Sequence, residues 1–136
     1  MKKLLRIEQI AEKLGLDKDA LENYGNYKAK ISLNAIKKNR KSNLLVVTAI
    51  TPTPLGEGKS TIAIGLTQGF GKINQNVALT IRHPSLGPVF GHKGGGTGGG
   101  RATVQPAEDI NLHFNGDFHA VESAHNLLAA MVDNAV

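Results

Sequence analysis

Lys59 stands between Gly58 and Ser60 in the stretch "TPTPLGEGKSTIAIGL", residues 51–66, and those residue types at that spacing bind phosphate. The common loop reads G-x-x-x-x-G-K-[ST]; here Gly58, Lys59 and Ser60 fill its end, while Thr53 takes the place of the first glycine. Pro52 and Pro54 carry no N–H, so the anion-binding donors must come from the backbone of Leu55 through Ser60, at a helix N-terminus whose dipole favours negative charge. Gly56 and Gly58 let that backbone turn, with Glu57 between them. Lys59 would neutralise the β- and γ-phosphates of ATP, and the Ser60 hydroxyl would ligate Mg²⁺.

Two further clusters could do chemistry. Arg82, in "RHPSLGP", is either a planar clamp for a carboxylate or phosphate or a surface ion-pair partner. "EDINLHFNGDFHA" gathers Glu108, Asp109, His113, Asp117 and His119 within a dozen residues. Six positions separate the histidines, which no zinc-binding helix motif uses. Acid–base or positioning work is one reading; helix capping by Asp117 and a core hydrogen bond for His113 is the other.

The elements that must hold these residues follow from periodicity. "NLLVVTAI", 43–50, reads as a parallel strand buried on both faces. Ser60 to Ile73 reads as a helix with Ile62, Leu66, Phe70 and Ile73 on one face, and "NVALTI", 76–81, as a second strand. Strand, glycine loop, helix, strand is a βαβ unit, so the expected fold class is α/β, an incomplete parallel sheet of the P-loop NTPase kind. Arg82 then falls at the carboxyl edge of the sheet, where ligands of open α/β folds bind. "GGGTGGG", 94–100, is either a flexible linker or backbone brought close to another segment. Residues 110–114 read as a third strand, and Asp117 caps a last helix with Val121, Ala124, Leu128, Met131 and Ala135 on one face. Two or three strands are a meagre sheet, which suggests a chain cut short.

Residues 1–43 read as a helical leader: Ile7, Ile10, Ala11 and Leu14 at helical spacing with Gly15 as the stop, a second helix capped by Asp17, and a short amphipathic piece from Leu33 to Ile36. Residues 44–136 are then the N-terminal part of a nucleotide-binding domain. The net charge of +5 resides in the leader, which has eleven Lys/Arg against five Asp/Glu, including "KKNRK" at 37–41. No aromatic residue interleaves with that cluster, so it reads as a solvated face and nucleic acid is not an expected partner. The chain has no cysteine, no bilayer-length apolar run and no apolar signal segment, and is expected to be cytoplasmic and without a membrane partner.

"TPTPLGEGKS", "RHPSLGPVFGHKGG", "EDINLHFNGDFHA" and "HNLLAAMVDN", in this order, closely resemble the N-terminal part of the formate:tetrahydrofolate ligase family, from Leu44 to Val136 and less specifically through the leader. The resemblance implies a fragment of an enzyme that uses ATP to ligate formate to tetrahydrofolate through formyl phosphate, giving 10-formyltetrahydrofolate. It implies ATP contacts for Thr53, Pro54, Leu55, Gly56, Glu57, Gly58, Lys59 and Ser60, with Mg²⁺ at Ser60. Arg82 matches the arginine that holds formyl phosphate, and His113, Asp117 and His119 match the family's "HFTGDxH" segment. A monovalent cation as activator and a homotetramer of full-length chains are implied as well. His83 replaces the acidic or amide residue usual beside the arginine. His92, Thr97, Arg101, Glu122 and His125 also differ from the commonest residues, and "DNAV" stands where "DNHI" is typical. The family's chains are several times longer, with the folate-stacking and adenine-binding segments beyond the equivalent of Val136. The alternative functions are a P-loop switch or partner-binding module, and a truncated, inactive ATP-binding remnant.

Overall fold

The computed structural model describes residues 4–35, 42–51, 53–54, 56–83, 86–87 and 95–135. They fall into two units, Met1–Val46 and Val47–Val136. Helices and strands are mixed, and the strands among the described residues form two small antiparallel sheets.

The first unit begins with helix α1, Ile7–Lys13, which buries Ala11 and ends where Gly15 takes φ 69°. The Arg6 N–H donates to Gln9 Oε1 at 3.0 Å, satisfying one donor of the first turn. After it the expected second helix is only a 3-10 turn, Lys18–Ala20, with Asp17 at its cap position. The chain then forms a hairpin, β1 (Leu21–Tyr24) against β2 (Lys28–Ile31), with Leu21 opposite Ile31 and Tyr24 opposite Lys28. Gly25 at φ 70° supplies the turn, a conformation that favours glycine. A hydrogen bond from Asn23 Nδ2 to Glu8 Oε1 (2.7 Å) and one from the Ile7 N–H to the Asn26 carbonyl (2.9 Å) tie the hairpin to α1. The leader is therefore a helix plus a hairpin: the Gly25-Asn26 turn brings the four-residue segments on either side of it into antiparallel register. Leu33–Ala35 is a further 3-10 turn, and Ile36 with the basic cluster lies outside the described residues.

In the second unit, α2 (Lys59–Lys72) matches the expected helix to within a residue. Its buried residue is Ile64, only 2% exposed, whereas Ile62, Leu66 and Ile73 of the expected inner face are exposed. The partner of α2 explains this. It packs on a second hairpin, β3 (Gly98–Gly99) with β4 (Ala102–Thr103), made by the glycine-rich segment. Among the described residues neither 43–50 nor 76–81 pairs in a sheet, and Leu44, at 86% exposure, is open to solvent. A parallel pair needs neighbours and cover on both faces, which two short strands do not supply to each other.

Residues 110–114 are also not a ladder strand. Ala107–Asn111 is a short helix, α3, and only Leu112 bridges Leu86. Pro106 precedes the first turn and Glu108 and Asp109 lie within it, an arrangement that favours a helix start over a strand. Helix α4 runs from Asp117 to Ala135. Asp117 is its first residue; the cap position belongs to Gly116, at φ 89°, whose carbonyl accepts the Ala120 N–H at 3.1 Å. The stripe Val121, Leu128 and Met131 is exposed. No helix among the described residues is long and apolar enough to cross a membrane.

Candidate functional site

The loop before α2 is shaped by its glycines. Gly56 and Gly58 have φ 82° and 75°, and a Cβ at either would meet nothing within 4 Å, so backbone conformation is what demands glycine there. The Gly56 N–H donates to the Thr53 carbonyl at 3.1 Å, and Gly58 caps the helix with its carbonyl accepting the Ile62 N–H at 2.9 Å. Lys59 and Ser60 thus sit in the first turn, beside N–H groups with no partner inside the helix. Thr53 and Pro54 are exposed beside this turn, and Leu55 lies outside the described residues.

Glu57 contributes a contact that the sequence pattern does not specify. Its carboxylate accepts the Thr53 N–H through Oε1 and pairs with the Lys59 ammonium through Oε2. The bond from Lys59, then that from the Thr53 backbone, holds the Glu57 carboxyl at about 2, below its ordinary 4.5. The loop's own anion therefore occupies the cation that a phosphate would also use. An alternating acid and base two residues apart, in a loop turned by two glycines, is the signal that could have announced it.

Arg82 is exposed, and among the described residues it has no hydrogen bond or ion pair. His83 beside it turns inward, its ring edge-on to Phe114 with centroids 5.8 Å apart and planes at 69°. His113 and His119 do meet: His113 Nε2 lies 2.7 Å from His119 Nδ1, so one ring nitrogen donates and the other accepts. His113 adopts φ 52°, an uncommon backbone region for a residue with a side chain, and α4 brings His119 to it. Ser123, one turn beyond His119, places its hydroxyl 3.4 Å from His119 Nδ1 and 3.5 Å from His113 Nε2. Its i, i+4 spacing from His119 was readable in the sequence. Asp117, at the start of the same helix, is exposed. Among the described residues no three His, Cys, Asp or Glu side chains converge as a metal site.

Asn111 joins these segments. Its Oδ1 accepts the Gly96 N–H at 3.2 Å, its Nδ2 donates to the buried Thr97 hydroxyl at 3.2 Å, and its backbone carbonyl accepts the Gly87 N–H at 3.1 Å. The Arg82 segment and the histidine segment are neighbours through the Leu86–Leu112 bridge and the His83–Phe114 contact. Helix α2, carrying Lys59 and Ser60, is joined to the glycine hairpin that continues from Thr97. The glycine segment is thus packed structure, and the close-approach reading holds at Gly98, where a Cβ would lie 2.1 Å from the Ala102 carbonyl oxygen.

A loop with a left-handed glycine cap, a lysine and a hydroxyl at the first turn of a helix offers the N–H donors and the positive charge that suit an anion. Comparison with known proteins gives it a family. The model of the family described as Formate--tetrahydrofolate ligase matches residues 1–136. The formate–tetrahydrofolate ligase of Staphylococcus epidermidis (strain ATCC 35984) is 56% identical over 135 residues, which are 98% of this chain and 24% of that protein. The Staphylococcus carnosus (strain TM300) ligase is 56% identical over 131 residues, 96% of this chain and 24% of its own. The Staphylococcus aureus (strain JH9) ligase is 55% identical with the same coverage. The chain belongs to the formate–tetrahydrofolate ligase family, and it spans about a quarter of the length of these curated relatives.

Proposed function

We propose that this chain is the phosphate-binding and formate-activating part of an ATP-dependent formate–tetrahydrofolate ligase. The observation that carries the proposal is the family match over residues 1–136, together with 56% identity across 98% of the chain. In the complete protein the strands 43–50 and 76–81 would join a parallel sheet with partners outside this stretch, setting the loop at the carboxyl edge of the sheet.

The donor set fits a nucleotide's phosphates: backbone N–H groups at the start of α2, the Lys59 ammonium and the Ser60 hydroxyl. Binding requires Lys59 to exchange the Glu57 carboxylate for phosphate oxygens. Mg²⁺, ligated by the Ser60 hydroxyl, would supply charge neutralisation between the β- and γ-phosphates. A formate oxygen attacks the γ-phosphorus as the bond to the β-phosphate oxygen breaks, so ADP leaves and formyl phosphate remains. Lys59 stabilises charge on the transferring group, and Arg82 clamps the formyl phosphate with its planar fork. The N10 nitrogen of tetrahydrofolate then attacks the formyl carbon, phosphate departs, and the nitrogen loses its proton. His113 and His119 already share one proton between 2.7 Å-spaced nitrogens, which suits them to move or hold it, with Asp117 at the adjoining helix start. A monovalent cation as activator, a homotetramer and a cytoplasmic setting complete the proposal.

The test is the full-length protein assayed for 10-formyltetrahydrofolate with ATP, formate and tetrahydrofolate. The wild type forms product, and Lys59→Ala abolishes nucleotide binding or phosphoryl transfer. A wild type that binds ATP yet releases no ADP in response to formate would transfer the assignment to the switch or remnant reading.

A further inference from the structure

Ser123 stands where the two histidines meet. Its Oγ lies 3.5 Å from His113 Nε2 and 3.4 Å from His119 Nδ1, both beyond the usual hydrogen-bond range of about 2.7–3.2 Å, whereas the two ring nitrogens are 2.7 Å apart. Valence explains the difference. One ring nitrogen offers an N–H and the other its single in-plane lone pair, so the pair is complete and neither has capacity left for a third group. A helical hydroxyl ordinarily turns to the carbonyl four residues back, as Thr67 in α2 does with Ala63 at 2.9 Å. Among the described residues the polar contacts of the Ser123 side chain are with the two imidazoles instead.

The two rings differ in their access to water. His119, near the start of α4, is exposed, whereas His113 and Ser123 are half-buried. His119 is therefore the ring free to turn to a substrate, and His113 Nε2 is the nitrogen then left without a partner and with less water to replace it. A shielded polar atom without a bond costs free energy. A hydroxyl is both donor and acceptor, so Ser123 can satisfy His113 Nε2 in either tautomer. Its i, i+4 spacing from His119 keeps it on the same helix face when that ring moves.

We infer that Ser123 is a positioning residue for the histidine pair: its hydroxyl takes up the hydrogen bond of His113 Nε2 when His119 engages the substrate. This rests on the ligase reading above, in which the pair holds or moves the proton lost by the folate nitrogen, and it adds a residue to that step. It also makes a specific demand: the hydroxyl must matter to His113 most when His119 is absent.

The experiment uses the full-length protein with Ser123→Ala and Ser123→Thr, each also combined with His119→Ala. Carbethoxylation of His113 by diethyl pyrocarbonate, followed by peptide mass spectrometry, reads how firmly that ring is held without calling on catalysis. Ser123→Ala alone should change the rate little, because His119 still occupies His113 Nε2. With His119→Ala in place the hydroxyl is the remaining partner, so adding Ser123→Ala should raise the rate about two- to tenfold, the worth of one hydrogen bond, and adding Ser123→Thr should not. Steady-state kinetics give the second readout: Ser123→Ala lowers kcat for 10-formyltetrahydrofolate by a similar factor with KM for ATP and formate unchanged, and Ser123→Thr restores kcat. An active wild type in which His113 reacts no faster in the double variant, or in which kcat is unmoved by Ser123→Ala, overturns the inference alone. So does a uniform fall in kcat and in all affinities, which marks a packing role. A wild type that makes no 10-formyltetrahydrofolate while Ser123 still shields His113 refutes the ligase reading and keeps the hydrogen-bond assignment. Neither product nor shielding overturns both.

Discussion

Replacing Gly98 with alanine tests whether the glycine-rich segment is packed structure. Two costs add there. Gly98 has φ 79°, and an L side chain held in the left-handed region costs about 1–2 kcal/mol. The added Cβ would also stand 2.1 Å from the Ala102 carbonyl oxygen and 2.7 Å from Ile64 Cδ1. The first neighbour is backbone and the second belongs to the most deeply buried side chain of α2, so neither yields freely; overpacking of this kind costs about 1–3 kcal/mol. Gly98→Ala should therefore lose about 2–5 kcal/mol in total. Gly100 is the internal control. Its φ is 59° but a Cβ there meets nothing within 4 Å, so Gly100→Ala should lose only the backbone part, about 1–2 kcal/mol. The assay is urea unfolding of the full-length protein, comparing midpoints at unchanged slope. Equal losses at the two sites, or no loss at Gly98, would refute the packing of the hairpin on α2.

Ile64→Ala should destabilise by about 2–5 kcal/mol, because a 2%-exposed side chain is removed from the contact between α2 and the hairpin; the same midpoints check it, with Ile62→Ala the milder comparison. Glu57 should stay ionised as pH falls from 4.5 toward about 2, since its folded value is lowered. The Lys59 and Thr53 contacts therefore operate above the unfolded value and are lost as pH drops through about 2, and a carboxyl NMR titration should show the midpoint rising in Lys59→Ala. Arg82→Ala should spare ATP binding and depress formate-dependent ADP release by tenfold or more, on the order of one charged hydrogen bond or two; unchanged release would remove Arg82 from the formate site.

What was legible in the sequence is what local chemistry decides. The start of α2 follows from Gly58-Lys59-Ser60, the end of α1 from Gly15, and the run of α4 from its helical period. The misreadings fall where tertiary partners decide. "NLLVVTAI" has the composition of a buried strand, yet a strand exists only through its neighbours, and among the described residues these have no ladder partner. Helical spacing puts Ile62, Leu66, Phe70 and Ile73 on one face of α2, but the glycine hairpin covers Ile64 instead. At 110–114 the alternation of "INLHF" reads as a strand, and the proline and acids ahead of it favour a helical turn over 107–111. For the candidate site, Lys59 and Ser60 follow from type and spacing, whereas type and spacing leave Arg82 and the histidines open and only the family resemblance singles them out. The Asn111 bonds have no such local signal, because they depend on where the end of α3 delivers a side chain, whereas the Glu57 pairing and the Ser123 contact each leave a spacing in the sequence.

Asn111 shows how a segment rich in glycine can be fixed in place. Six of the seven residues 94–100 are glycine, which maximises the conformational entropy lost on ordering them. Bonds from Asn111 to Gly96 and Thr97, the Val104 N–H to Thr97 carbonyl bond of 3.0 Å, and the contact of Gly98 with Ile64 act along that same short path. Larger residues would exclude those close approaches: a Cβ at Gly95 would already come within 2.9 Å of Asn111 Oδ1. The glycines thus bring backbone against α2 on one side and against Asn111 on the other. Through Asn111 the path continues to Gly87 and, by way of Leu112 and Phe114, to His83. The helix that carries Lys59 and the segment that carries Arg82 are therefore linked through a chain of backbone and side-chain contacts, so a bulky substitution at Gly95 or Gly98 should disturb both without touching either charged residue.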